Sequence, residues 1–149
     1  MDAQARSKFI IKMENQSETQ NPNSENPRDV AIRITMMPRD TNAHGTVFGG
    51  IILSYIDVAG GVEAVKTTKH DRFVTVAMKE VVFLEPVFIG DLVSFYAEPT
   101  RIGNTSITVR VIVEAERFGS HGQNAVRVTE AEVTYVAINQ YREKVRIGK

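Results

Sequence analysis

The residues best suited to chemistry lie in one short segment, TNAHGTVFGGIILSYIDVAGG, which runs from Thr41 to Gly61. Its single carboxylate, Asp57, stands in an otherwise apolar and glycine-rich run. A carboxylate in such surroundings can serve as a general base or as a nucleophile. It can equally be structural, by capping a second helix after a break or by pairing with a buried arginine. The residue types alone leave these roles open.

The same segment places two adjacent glycines, Gly49 and Gly50, where a helix is predicted to begin. The first N–H groups of a helix lack partners within the helix and carry positive dipole charge, so they suit an oxyanion hole. A simpler role is a sharp entry of the chain into the helix. At about 1.5 Å per residue, Asp57 lies about 10 Å along the axis from Gly50. One substrate atom therefore reaches both only if the helix start is bent or a second subunit contributes.

The element that positions Asp57 is a predicted helix between Phe48 and Lys66. Apolar residues at helical spacing form one stripe, which further residues widen: Ile51, Tyr55, Val58, Val62 and Val65, then Ile52, Ile56 and Ala59. A helix that is apolar around most of its circumference is buried on most sides, so we expect a central helix.

Asp57 shares its helix face with the smallest side chains of the segment: Leu53, Gly60, Gly61 and Ala64. Each glycine within a helix costs about 1 kcal/mol relative to alanine. We therefore expect another part of the structure to approach this face closely.

The rest of the chain has the alternation and β-branched content that is typical of strands. We predict one strand before the helix, VAIRIT, and four after it, RFVTVAMKEVVFLEPV, DLVSFYAEPTRI, SITVRVIVEAERF and AVRVTEAEVTYVAI. In SITVRVIVEAERF, Ile107, Val109, Val111 and Val113 point one way and Arg110, Glu114 and Glu116 point the other, which indicates one buried and one wet face. A single apolar helix and one antiparallel sheet predict an α+β fold in which a curved sheet wraps around one long central helix.

Composition and charge argue against several functional classes. Eighteen basic and eighteen acidic residues cancel, so no long-range field favours nucleic acid or an anionic membrane as a partner. The chain has no cysteine, and His44, His70 and His121 show no metal-ligand spacing, so we expect no metal site. The apolar run near the N-terminus is too short for a signal peptide, which predicts a cytoplasmic protein. Residues 1–29 are predicted to be a flexible polar leader, and residues 30–149 one domain.

Three motifs resemble one known family. MPRDTNAHGTVFGGIILSYIDVAGG, VVFLEPVFIGDLV and RIGNTSITVRVIV are similar, in type and order, to motifs of the hotdog-fold acyl-CoA thioesterases, in particular the bacterial short-to-medium-chain acyl-CoA hydrolase group. The resemblance covers the chain from about Arg33 to Ile138. It implies hydrolysis of acyl-CoA to a free fatty acid and CoA, and CoA is then part of the substrate, with no separate cofactor.

The resemblance also implies an assembly. Two subunits pair their sheets edge to edge in a homodimer, and the larger assembly considered is a hexamer built as a trimer of dimers. The active sites of the family lie at the dimer interface, so a partner chain helps to form each site. This arrangement would resolve the separation between Gly50 and Asp57.

Residue roles follow from the same resemblance. Asp57 corresponds to the catalytic acid, which acts as general base or nucleophile, and the Gly50 N–H corresponds to the oxyanion donor. Asn42 is grouped with the catalytic residues, and Thr75 resembles a residue that the partner subunit brings near the acid. His44 departs from the family, in which a small polar residue such as asparagine is expected. The turn that lies along the pantetheine and phosphates of CoA consists of Arg101, Gly103, Asn104, Thr105 and Ser106.

Several assignments have a structural alternative. The turn at residues 101–106 can be an ordinary hairpin specified by Gly103 and Asn104, and Thr75 can be a routine strand threonine. Large apolar residues can line an acyl tunnel or can belong to the core: Phe48, Tyr55, Met78 and Phe83.

Two other functions are compatible with the same fold. A non-catalytic acyl-CoA sensor would lack the acid, so Asp57 argues against it. A hotdog dehydratase or hydratase would need a histidine paired with the aspartate, and the predicted helix has no histidine after Asp57. The acyl chain length is not readable from the sequence.

Overall fold

The helix and strands follow the predicted order, one strand, one helix and four strands. The computed structural model describes residues 28–118 and 125–148, so residues 1–27 of the leader predicted at residues 1–29 lie outside the described residues. A single turn of 3₁₀ helix at Pro38–Asp40 precedes the long helix. The other elements are β1 Val30–Thr35, α1 Gly49–Thr68, β2 Phe73–Lys79, β3 Leu92–Ile102, β4 Ser106–Glu116 and β5 Ala125–Ala137.

The strands form one five-stranded antiparallel sheet in the order β1-β3-β4-β5-β2. Helix α1 packs against the sheet, and the core lies between the two layers. In β4 the alternate residues Ile107, Val109, Val111 and Val113 are fully buried, as predicted. The short strands β1 and β2 lie at the two edges, so the sheet is open.

Strand β2 is shorter than predicted. The sequence pattern predicts a strand that continues through VVFLEPV, whereas the strand ends at Lys79, because Glu80 adopts a left-handed conformation with φ of 59°. The segment that follows runs irregularly along β5, where the Leu84 N–H donates to the Val128 carbonyl at 2.8 Å. The hydroxyl of Thr129 donates to the Val82 carbonyl at 2.8 Å. Its β-rich sequence therefore makes tertiary contacts outside the sheet ladder.

The faces of α1 differ from the prediction. The predicted buried stripe is wrong in its C-terminal half, since Val58, Val62 and Val65 are 54%, 47% and 40% exposed. The buried residues of the helix are Ile52, Ile56, Ala59, Gly60 and Ala64. Because this helix is apolar almost all round, its periodicity does not select which side faces the sheet. One protomer thus leaves an uncovered apolar stripe, which we call the valine stripe (Val58, Val62 and Val65).

The last two residues of the predicted leader contact the domain. Arg28 forms an ion pair with Glu114 at 2.8 Å, and Asp29 forms one with Lys66 at 2.5 Å. Pairs at the surface contribute little to the free energy of folding. The ordered contacts of the chain nevertheless begin before residue 30.

Candidate active site

Asp57 lies in the middle of α1 and is half-buried. The hydroxyl of Thr75 donates to its Oδ1 at 2.6 Å. The helix continues without a break from Gly49 to Thr68, so Asp57 does not cap a second helix. Within residues 28–118 and 125–148, no basic side chain forms an ion pair with it. Neither structural alternative from the sequence describes this carboxylate.

Thr75 belongs to the same protomer as the Asp57 that it contacts. The resemblance implied that this residue comes from the partner subunit, and the structure instead makes the contact within one chain. Helix α1 and strand β2 are consecutive along the chain, so a short connection brings the two residues together. The hydrogen bond from Thr75 to Asp57 therefore needs no second subunit.

A second hydroxyl, that of Tyr135 on β5, contacts Asp57 and was missed by the sequence analysis. It donates to the main-chain carbonyl of Asp57 at 2.6 Å. Gly60 makes this approach possible, because a Cβ atom at Gly60 would lie 2.2 Å from the Tyr135 hydroxyl oxygen. The close approach predicted on the glycine face of the helix is thus confirmed, and Tyr135 is the residue that makes it.

The sequence holds a signal for Tyr135. In EAEVTYVAI the tyrosine alternates in phase with Ala131, Val133 and Ala137, all of which are buried. An inward-facing tyrosine must find a partner for its hydroxyl. The alternation therefore marks Tyr135 as a buried tyrosine whose hydroxyl needs a polar partner, and the structure shows that this partner is on α1.

Thr75 and Tyr135 are directly opposite each other in the ladder between β2 and β5. The register shifts between Thr75 and Ala77, which leaves Val76 as an extra residue in β2. Such bulges re-aim neighbouring side chains and are frequent beside active sites. One cross-strand pair thus holds Asp57 both by its side chain and by its main chain.

The pKa of Tyr135 lies well above its ordinary value of 10, chiefly because the side chain is buried and also because the Asp57 carboxylate is close to it. The phenol therefore remains protonated and able to donate at neutral pH. The nearby main-chain N–H of Gly61 partly opposes this rise in pKa.

The start of α1 exposes backbone donors. Phe48 is the N-cap residue and supplies no side-chain cap, although its carbonyl accepts from the Ile51 N–H at 2.9 Å. Among the described residues, no acceptor is recorded for the N–H groups of Gly49 and Gly50. A pocket of about 340 Å³ beside this terminus is lined by Gly49, Ile52 and Phe83, among others. The helix terminus thus faces accessible space.

The four candidate tunnel residues divide into two pairs. Phe83 lines the pocket at the helix start, and Phe48, which is 59% exposed, lies over Gly50. Tyr55 and Met78 are partly buried against the hydrophobic core instead. The ring of Tyr55 lies 5.6 Å from that of Phe95.

Asn42 organises the loop that leads into α1. Its side-chain oxygen accepts from the N–H groups of His44 and Thr46, and its amide donates to the Thr46 hydroxyl at 2.9 Å. The hydrogen bonds recorded for Asn42 all lie within this loop, and the structure does not bring its side chain to Asp57. His44 is exposed. Asn42 therefore shapes the chain before Gly49 and Gly50.

The turn at residues 101–106 is a tight hairpin between β3 and β4. The Gly103 N–H donates to the Ser106 carbonyl at 2.8 Å. The Asn104 carbonyl accepts from the Ile147 N–H, and the Thr105 carbonyl accepts from the Ala137 N–H. Arg101, at the edge of the turn, is exposed. Ser106 is opposite Val136, the neighbour of Tyr135. The turn thus lies at the same end of the sheet as Tyr135, which contacts Asp57, but the turn itself makes no recorded contact with Asp57.

In the described part of the chain, no three His, Asp or Glu side chains cluster as metal ligands. None of the helices in that same part combines the length and the hydropathy needed to cross a membrane.

Comparison with known proteins gives a consistent result. The family model described as the thioesterase superfamily matches residues 44–120. The acyl-CoA thioester hydrolase YciA of Escherichia coli strain K12 is 39% identical over 113 residues, which cover 74% of this chain and 84% of that protein.

Two solved structures share the fold at substantial identity. A hexameric hotdog fold thioesterase of Campylobacter jejuni is 45% identical with a TM-score of 0.76, over 80% of this chain and 90% of that one. A hexameric thioesterase from Yersinia pestis is 33% identical with a TM-score of 0.76, over 85% of this chain and all of that one (100%). One long helix against a five-stranded antiparallel sheet is thus a hotdog fold.

The chain belongs to the thioesterase superfamily. The predictions of a hotdog fold and of a thioester-hydrolysing enzyme are confirmed.

Proposed function

We propose that this protein hydrolyses acyl-CoA thioesters with Asp57 as the catalytic carboxylate. The observation that carries the proposal is the environment of Asp57, whose half-buried carboxylate accepts from the Thr75 hydroxyl and whose main-chain carbonyl accepts from the Tyr135 hydroxyl. No basic side chain of the described residues neutralises this carboxylate. Its relatives of known name support the same chemistry, since YciA is an acyl-CoA thioester hydrolase.

Two routes use this carboxylate. As general base, Asp57 takes a proton from water while the water oxygen attacks the thioester carbonyl. The resulting oxyanion collapses, the C–S bond breaks, and the CoA thiolate leaves and is protonated. As nucleophile, Asp57 attacks the carbonyl itself and expels the thiolate, and water then hydrolyses the mixed anhydride. Both routes form one carboxylic acid and one free thiol.

The oxyanion of either route needs donors, and the Gly50 N–H is the proposed one. Gly50 and Asp57 are separated by about 10 Å along one helix. The donor and the carboxylate of one site therefore come from two protomers, with the Gly50 of one chain facing the Asp57 of its partner. The site lies at the interface of a homodimer.

Two surfaces of the protomer support this assembly. The outer edge of β2 has no strand beside it in the described protomer, and an open edge is a ready template for pairing with another chain. The valine stripe leaves apolar area uncovered on α1. Because the relatives from Campylobacter jejuni and Yersinia pestis are hexameric, a trimer of dimers is the proposed larger assembly.

The hydrolase proposal is tested by release of free thiol from acyl-CoAs of increasing length, from acetyl to palmitoyl. We expect catalytic turnover with a maximum at one range of chain lengths. Thermal stabilisation by acyl-CoA without thiol release would instead indicate a sensor. Conversion of an enoyl-CoA or a hydroxyacyl-CoA with the thioester intact would indicate a hydratase or dehydratase.

CoA recognition by the turn predicts a specific kinetic change. The proposed CoA-binding residues are Arg101, Gly103, Asn104, Thr105 and Ser106, of which the exposed guanidinium and the hydroxyl offer donors to phosphate and pantetheine. The double variant Arg101→Ala/Ser106→Ala is expected to raise KM several-fold with little change in kcat, the pattern of lost uniform binding. Arg142→Ala, at another exposed arginine, serves as the charge-matched control. An unchanged KM would place CoA elsewhere.

A further inference from the structure

Two neighbouring strands of the sheet, β2 and β5, each donate a hydrogen bond to Asp57 of α1. Thr75 on β2 contacts the carboxylate, and Tyr135 on β5 contacts the carbonyl of the same residue. We propose that Tyr135 is a positioning residue, whose hydroxyl fixes the main chain of α1 at Asp57 and so sets the direction of the carboxylate. This inference rests on the proposed catalytic role of Asp57.

The Tyr135 hydroxyl lies at the hydrogen-bond ladder of the helix. Asp57 and Gly61 are at positions i and i+4 of this ladder, and the phenol donates to the main-chain carbonyl of Asp57. This hydrogen bond from an inward-facing side chain of β5 ties the main chain of the helix to the sheet at that point. The path of α1 at Asp57 is therefore set by the sheet through Tyr135.

The position of the Tyr135 ring is itself tightly fixed. The side chain is only 2% exposed, and its ring packs edge to face with that of Phe73 at 6.5 Å between centroids. Gly60 supplies the space for the hydroxyl, and β5 lies between β4 and β2 in the sheet. An interior strand with a locked ring gives the helix a rigid reference point.

Packing alone does not require this hydroxyl. Phenylalanine would fill the same volume and make the same contact with Phe73, and it would bury no polar group. In its absence, the Asp57 carbonyl and the Gly61 N–H remain partners of an ordinary helical bond. What the hydroxyl adds is orientation, and a misplacement of about 1 Å can lower a rate ~100-fold.

The test is Tyr135→Phe. We expect kcat to fall about 10- to 100-fold with KM within about 2-fold of its original value, because the reacting group is misdirected while substrate binding is kept. In an Asp57→Asn background, the same substitution is expected to change kcat by less than about 2-fold, since the residue acts through Asp57. Tyr96→Phe, which removes a hydroxyl from β3 outside the site, is the matched control.

A second pair of variants tests the contact between Tyr135 and Asp57 by substitutions on α1. Gly60→Ala displaces the Tyr135 hydroxyl and is expected to lower both kcat and the melting temperature. In Gly61→Ala the added Cβ lies 3.9 Å from the nearest ring atom of Tyr135. That variant is therefore expected to raise the melting temperature by about 2–4 °C through its better helix propensity.

The outcomes separate this inference from the proposed function. Full turnover of Tyr135→Phe, or an equal loss in the wild-type and Asp57→Asn backgrounds, would overturn the positioning role and leave the hydrolase mechanism intact. Full turnover of Asp57→Asn would instead remove the catalytic role on which the inference rests.

Discussion

Asp57→Asn is expected to lower kcat for acyl-CoA hydrolysis by at least ~100-fold, the typical contribution of a general base. The amide keeps the shape of the side chain, and its oxygen still accepts from the Thr75 hydroxyl. What it loses is the ability to take a proton or to attack the thioester. Thiol-release kinetics at saturating substrate measure the change.

The folded state of the Asp57→Asn variant is expected to persist. No ion pair is broken among the described residues, and an amide costs less to desolvate than a carboxylate. Glu63→Gln, at the other acid between Phe48 and Val65, is the matched control and should retain turnover. A collapse of the melting temperature together with activity would make Asp57 a structural residue, and a stable variant with normal turnover would leave the mechanism without its base.

Gly50→Pro is expected to lower kcat about 100- to 1000-fold, the effect of deleting one oxyanion donor. Gly50 is in the first turn of α1, where proline is tolerated because its missing N–H has no helical partner. Gly50→Ala is the control, since it retains the N–H. Its new Cβ would meet the ring of Phe48, which is exposed and free to rotate away. Equal turnover of the two variants would exclude the N–H as the donor.

Mixing the two inactive variants tests whether each site is shared. If the Gly50 donor of one protomer serves the Asp57 of its partner, a heterodimer of Asp57→Asn with Gly50→Pro has one site with both lesions and one intact site. Co-refolding the two variants should therefore restore activity, up to about half per mixed dimer. Sites built within single protomers would all carry one lesion, and the mixture would stay inactive.

Local sequence patterns were sufficient to predict the helix, the strands and the part of the site that lies on α1. Strand alternation and the apolar helix predicted the order of the elements, and the glycines around Asp57 predicted a close approach to that helix face. These features depend on neighbours within a few residues, which the sequence displays directly.

The features that were mispredicted or missed depend on long-range geometry. The valine stripe was predicted to be buried because the pattern of an apolar helix does not state which side meets the sheet. The left-handed conformation of Glu80 could not be predicted from the sequence, because glutamate, unlike glycine or asparagine, rarely adopts it. Tyr135 reaches Asp57 across 78 residues of sequence, and only the register of β5 brings it there.

The placement of Thr75 on an edge strand bears on the order in which the molecule folds. Strands β3, β4 and β5 are consecutive along the chain and are neighbours in the sheet, whereas β2 pairs with β5, from which β3 and β4 separate it in the sequence. Distant pairings close late and slowly. The Thr75–Asp57–Tyr135 arrangement is thus among the last to assemble, and edge strands also open before interior ones. In a protomer whose β2 edge is not paired with another chain, amide hydrogen exchange should therefore be faster in β2 than in β4, and catalytic competence is lost by local opening while most of the sheet is still folded.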